Sequence, residues 1–289
     1  LETCEYLEQH GYDVTYLKVD ETGLIDLEEL KKAITDKTIL VSIMSGNNEI
    51  GTLQPIEEIG KICKESGVIF HSDATQTAGK IPVDVEKMGI DLMSISAHKF
   101  YGPKGIGALY IRSKNPRVKV SKQTHGGSQE KGMRSGTLNV PGIVGFGKAC
   151  ELSKEELLTE MEREIKLRDK MIDEFLKLEN VYLNGHRTKR LPNNINLSFA
   201  FTDTDGLIAG MKDIAISTGS ACTSASAAPS HVLTAIGREN DIARSTIRMS
   251  FGRFTTEEEI DYAINRLVET VNNLRKDSPV YKMVKEGIV

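Results

Sequence analysis

No apolar run in the 289 residues approaches the roughly 18–20 needed to span a bilayer. No signal or transit peptide is visible. The chain starts at Leu1 rather than Met, in a stretch, LETCEYLEQHGYDVTYL, that reads as a helix already under way, so a truncated N-terminus is expected. An excess of positive charge is also missing. Lys+Arg number 37 against Asp+Glu 41, net −4, and the basic residues are spread out, which removes the electrostatic reason to expect nucleic acid or an anionic membrane. Cysteines are few and far apart: Cys4, Cys63, Cys150 and Cys222, with no C-x-x-C and no metal-ligand spacing. That excludes a disulfide framework and a resident metal centre. It suits a reducing compartment, the cytoplasm or, in a eukaryote, the mitochondrion. Cys4, Cys63 and Cys150 lie on apolar helical faces and read as core packing. Internal repeats and low-complexity tracts are absent.

What is present alternates between two periods. Short apolar or β-branched runs recur at 13–19, 38–44, 67–73, 91–96 and 107–112, separated by helical stretches at 25–34, 56–67 and 84–89. Strand, helix, strand is the pattern of a mostly parallel α/β sheet, with the last link short enough to be antiparallel. The near-continuous apolar strands predict a sheet covered on both faces. A Gly/Ser/Thr-rich loop at 121–139 leads to a long helix over about 141–179. A smaller α+β unit follows, with strands at 194–199, 214–218 and 245–251, a helix near 204–212 and a terminal helix. Thr255 or Thr256, with Glu258 or Glu259, forms a capping box at its start. These patterns divide the chain into 1–155 and 156–289.

In open α/β sheets ligands gather at the carboxyl ends of strands. Asn48 follows TILVSIM, Asp73 follows VIFHS, and Lys99 follows DLMSIS, so three strands aim an amide, a carboxylate and an amine at one region. Each has an ordinary explanation too: a turn, a helix N-cap, a solvated loop lysine. GPKGIG lacks the order of a nucleotide phosphate loop. Together the three suit pyridoxal phosphate (PLP), which needs a lysine to link to its aldehyde and an acid opposite the ring nitrogen. Gln76, one turn after Asp73, would face the ring's phenolic oxygen, and Ser96 and His98 could contact the phosphate or the ring.

The segments NNEIGTLQPI, HSDATQTAGKIPVD, SISAHKFYGPKGIGALYIR, HGGSQEKGMRSGT, STGSACTSAS and STIRMSFGRFTTEEEIDY occur in this order across most of the chain. They resemble cysteine desulfurases of the iron–sulfur-cluster-assembly type, within the class V aminotransferases, a family of fold-type I PLP enzymes. The resemblance implies a PLP-binding large domain with a mostly parallel sheet and a smaller α+β C-terminal domain. It implies that Lys99 holds PLP and that Asn48, Asp73, Gln76, Ser96 and His98 contact it. Thr137 would reach the phosphate from the other subunit of a homodimer. Arg248 would clamp the carboxylate of the substrate, L-cysteine, with Asn48 close by; Arg253 is a neighbour with a less specific signal, and His125 is an equally ordinary loop histidine.

Cys222 becomes the catalytic nucleophile on a mobile loop near 217–230, rather than a passive thiol among small residues. Its persulfide would pass to an iron–sulfur scaffold or sulfur-carrier protein, and a transferred cluster could contact it. Three departures stand out. The family's phosphate-holding turn and ring-stacking histidine would precede Leu1, Ala97 replaces a glycine, and the chain stops at KEGIV, short of a scaffold-docking tail. The alternatives are a selenocysteine lyase or aminotransferase of the same family, or an inactive, truncated chain that only dimerises or docks partners.

Overall fold

The computed structural model describes residues 1–218 and 230–288. Helices α1 (Glu2–Gln9) and α2 (Leu27–Ala33) precede strand β1 (Leu40–Ser42). Then come α3 (Ile56–Ser66), β2 (Ile69–Asp73), β3 (Leu92–Ser96) and β4 (Gly107–Ile111). The four strands form one sheet in chain order, β1–β2–β3 parallel and β4 antiparallel to β3. The reason is local. Val41 and Phe70 are register partners in parallel strands, so both point to one side, where they meet Ile59, Ile62 and Cys63 of α3. Gly67, left-handed at φ 69°, ends α3 and turns the chain straight into β2.

Helix α4 (Val140–Phe175) crosses from this unit to the second. The second sheet is antiparallel, in the order β5–β6–β8–β7. Its strands are β5 (Val181–Leu183), β6 (Asn194–Phe199), β7 (Ser217–Thr218) and β8 (Thr246–Ser250). Helix α5 (Thr204–Gly210) lies between β6 and β7, and the short helices α6 (His231–Ala235) and α7 (Asn240–Ala243) precede β8. Helices α8 (Glu257–Asp277) and α9 (Pro279–Lys285) close the chain. Ile195, Leu197 and Phe199 of β6 pack with Met171, Ile172 and Phe175 of α4 and with Ile264, Leu267 and Val271 of α8. Thr256 and Glu259 form the capping box of α8, each bonding the other's backbone. None of the described helices is long and apolar enough to cross a membrane.

Four expectations are corrected. Residues 13–19 are not a strand; a single bridge joins Val19 to Ile25. Residues 84–89 make turns rather than a helix, ending at Gly89, which is left-handed at φ 62°. Among the described residues the first sheet has one covered face, not two: Leu40 is 45% exposed and Leu109 50%, and β3 is only half-buried throughout. Of the three cysteines read as core packing, Cys63 is buried, Cys4 is half-buried and Cys150 is exposed.

Candidate active site

Asp73 is the last residue of β2 and the register partner of Ser94 in β3. Beyond β1 the chain stays bonded to β2, with Ser45 N and Oγ both donating to the Asp73 carbonyl at 2.9 and 3.1 Å. On the other side, Ala74 N donates to Ser94 O at 2.9 Å. The backbone of Asp73 is thus pinned from both neighbouring strands. Its Oδ1 accepts from Thr75 N at 2.8 Å and so caps the turn that follows, while Oδ2 has no partner among the described residues. That turn, closed by Thr77 N and Ala78 N on Ala74 O, carries the half-buried Gln76.

Lys99 lies one step past β3, in a single 3-10 turn, Ala97–Phe100. Ala97 is fully buried and Phe100 is 3% exposed, whereas His98 and Lys99 are exposed. Phe100 fills the space over Gly79, where a Cβ would come within 2.8 Å of the phenylalanine, and packs against Phe146 of α4. Two buried anchors therefore hold the turn and force the two residues between them outward. Ser96 Oγ and His98 Nδ1 are hydrogen-bonded at 2.9 Å, which fixes the imidazole beside the lysine.

Asn48 sits in a tight turn closed by Asn47 Oδ1, which accepts from Glu49 N and Ile50 N at 2.8 and 3.0 Å. The second sheet and the segment leading into β6 grip this turn through polar side chains. Arg248 Nη1 donates to Asn48 O at 2.9 Å, Asn196 Nδ2 to Glu49 O at 3.1 Å, and Arg190 Nη2 to Ile50 O at 3.0 Å. The Glu49 carboxylate is buried and accepts from Ser230 Oγ, and burial raises its pKa. Arg248 and Asn48, placed together by resemblance, are in direct contact here.

Sequence reading missed a residue behind Asp73. His71, two residues earlier on the same face of β2, bridges three strands: Nδ1 pairs with Ser42 Oγ at 2.8 Å and Nε2 with Ser94 Oγ at 2.9 Å. Burial lowers its pKa, so the ring is neutral, donating to one hydroxyl and accepting from the other. The period of two linking His71 to Asp73 was the available signal. Tyr101 and Arg253, in contact across the two domains, were also missed as a pair.

The residues present fit PLP. The Lys99 amine has no ion pair or hydrogen bond among the described residues, and Asp73 keeps one carboxylate oxygen available, so both groups can engage a ligand. No hydrogen bond or ion pair among the described residues links Thr137 or His125 to this cluster. Both are exposed in the 121–139 loop, where Arg134 donates to the Thr137 carbonyl. Cys222 and most of the 217–230 loop lie outside the described residues.

Comparison with known proteins places the whole chain. The chain is 53% identical over 288 residues to the cysteine desulfurase IscS of Colwellia psychrerythraea, and 54% identical over 290 residues to that of Glaesserella parasuis. Each alignment takes in 100% of this chain and 71% of the relative. Among solved structures, a NifS-like protein superposes with a TM-score of 0.85 at 40% identity, over 94% of this chain and 71% of the other. A NifS-like protein from Rickettsia africae gives 0.82 at 33% identity, over 93% of this chain and 72% of the other. The pattern of the aminotransferase class-V family matches residues 1–263, so this chain belongs to the class-V aminotransferases.

Proposed function

We propose that this chain is a PLP-dependent cysteine desulfurase, converting L-cysteine to L-alanine and leaving the sulfur as a persulfide on Cys222. The observation that supports the reading is that Asp73 ends β2, Lys99 lies in the turn after the neighbouring parallel strand β3, and Arg248 bonds the Asn48 turn that follows β1. The relatives named cysteine desulfurase support it. PLP, when bound, supplies an electron sink that weakens bonds at the Cα and Cβ of the amino acid.

Every other part of the work falls to side chains of this protein. Lys99 would hold the cofactor, and its amine would take the proton from the substrate Cα. Asp73 would hold a proton at the pyridine nitrogen. Gln76 would hydrogen-bond the phenolic oxygen, and Ser96 and His98, with Thr137 of a second copy, would hold the phosphate. Arg248 offers a planar guanidinium to the substrate carboxylate, with Asn48 beside it. The Cys222 thiolate attacks the substrate sulfur: an S–S bond forms and the Cβ–S bond breaks. The electron pair stays with the carbon skeleton, which is protonated to alanine.

A second copy of this chain is the proposed partner, supported by the exposed Leu138, Val140 and Val144 beside Thr137. The proposed sulfur acceptors are an iron–sulfur scaffold or sulfur-carrier protein, in a cytoplasmic setting that suits the four unpaired-by-spacing cysteines. A boundary near residue 155 is proposed within α4, whose Phe146 packs on the Lys99 turn and whose Leu167–Phe175 end packs in the second core.

The test is direct. The purified protein, loaded with PLP, is assayed for alanine and sulfide from L-cysteine with a thiol reductant. Lys99→Ala should abolish both products and the colour of the bound cofactor. Cys222→Ala should abolish the protein persulfide. Sulfide release that survives Cys222→Ala unchanged would remove the persulfide route, and alanine formation by Lys99→Ala would remove the whole reading.

A further inference from the structure

Two residues after Lys99 the chain turns left-handed at Tyr101, φ 69°, a conformation disfavoured for a side chain with a Cβ and held only where surroundings impose it. Those surroundings come from both domains. The ring lies between the Arg253 guanidinium, 4.7 Å from its centroid, and the Lys80 ammonium at 5.2 Å. The hydroxyl accepts from Arg253 N at 2.7 Å. The Arg253 side chain is itself locked, donating from Nε and Nη2 to the two oxygens of Glu160 on α4 at 2.5 and 2.9 Å. Arg163, also on α4, donates to the carbonyls of Gly252, Arg253 and Thr255 at 2.8, 3.0 and 2.7 Å. The 252–255 loop is therefore a rigid block, and it follows directly on β8, the strand of Arg248.

We infer that Tyr101 is a positioning residue: it ties the Lys99 turn to the loop behind Arg248, so that the amine and the carboxylate-binding guanidinium hold one relative placement. This rests on the roles given above to Lys99 and Arg248. The two groups serve opposite ends of one small amino acid, and they stand on different domains. Their separation is set by whatever joins those domains near the lysine, and the Arg253–Tyr101 bond is a direct link. Gly252 is part of the device, because a Cβ there would collide with the Tyr101 hydroxyl oxygen, the next nearest atom being Cζ at 3.4 Å.

The PLP-loaded protein provides the test. Tyr101→Phe removes the hydroxyl and keeps the ring between its two cations. It should lower kcat for alanine formation about tenfold, within what a small misplacement of a reacting group costs, with KM for L-cysteine changed less than about twofold. It should also move the pH midpoint at which the Lys99-bound cofactor changes colour, with Tm held. Gly252→Ala should reproduce both effects in the wild-type background and add nothing in the Tyr101→Phe background, where the clash is gone. Unchanged kcat and colour midpoint in Tyr101→Phe would overturn the inference. So would a joint fall of kcat and Tm with the midpoint unmoved, or an additive loss in the double variant. A wild type without Lys99-dependent colour overturns the underlying reading as well; a normal wild type beside an unaffected Tyr101→Phe overturns the clamp alone.

Discussion

In the first sheet, Val41 and Phe70 point into an apolar layer, while Ser42, His71, Asp73, Ser94 and Ser96 line a face left open or half-open. In the second, every residue of β6 is buried: Ile195, Leu197 and Phe199 enter a core on one side, and Asn194, Asn196 and Ser198 are buried on the other. The polar residues of the first face stay partly exposed, Ser42 and Ser94 bonded to His71 and Ser96 to His98. Those of the second are mostly engaged by buried protein groups: Asn184 Nδ2 donates to Asn196 Oδ1 and Ser198 Oγ, both at 2.8 Å, and Asn196 donates to Glu49 O, while Asn194 Oδ1 has no partner among the described residues. Such partners offset most of the cost of burying polar groups. The lesson is that one sheet displays chemistry while the other docks, and the candidate site lies where the docking face meets the displaying ends.

Four measurements can break or sharpen that contrast. Phe199→Ala, in the apolar layer of the second sheet, should cost about 4 kcal/mol in urea unfolding, as for a fully buried phenylalanine. A loss below about 1 kcal/mol would mean this layer is not the core.

Glu164 of α4, 3% exposed, tests the junction. Burial raises its pKa to about 7, opposed by Lys80 and reinforced by Glu160. A carboxyl raised in the folded state stabilises below its unfolded pKa and loses that contribution as pH rises through the folded value. Wild-type stability relative to Glu164→Gln should therefore fall between about pH 4.5 and 7, by up to about 3 kcal/mol at pH 8. A flat difference across that range would place the carboxylate in a solvated, paired setting.

Asn196→Leu removes a buried donor and acceptor from the docking face. It should cost about 2 kcal/mol and raise KM for L-cysteine, since the Asn48 turn loses one of its holds. Unchanged KM would separate docking from substrate binding. The smallest effect is expected for Leu40→Ser on the open face of the first sheet, within about 0.5 kcal/mol in this 289-residue chain. A core-sized loss there would show that something covers this face.

Much of the displaying sheet was legible in the sequence. Asp73 and Lys99 stand at strand ends because apolar alternation stops at them and turn residues follow, and both signals are local. The capping box at Thr256 and Glu259 was equally readable. The strand expected at 13–19 was not formed, since apolar alternation without a neighbouring strand to pair with leaves the backbone groups unbonded. Cys150 was misread because helical periodicity marks an apolar stripe without saying whether anything covers it. His71 was passed over since both of its partners, Ser42 and Ser94, lie on other strands.

The sequence by itself determined which residue types stand at the strand ends, where the terminal helix α8 starts, and, through its motifs, the family. These follow from backbone period, turn chemistry and capping, which act over a few residues. Only the tertiary structure decided that Arg248 would touch Asn48, 200 positions away, and that Arg253 would hold Tyr101, 152 positions away. Such pairings depend on how two sheets dock around α4, and docking is settled by complementary burial of whole faces, a property no local window of sequence contains.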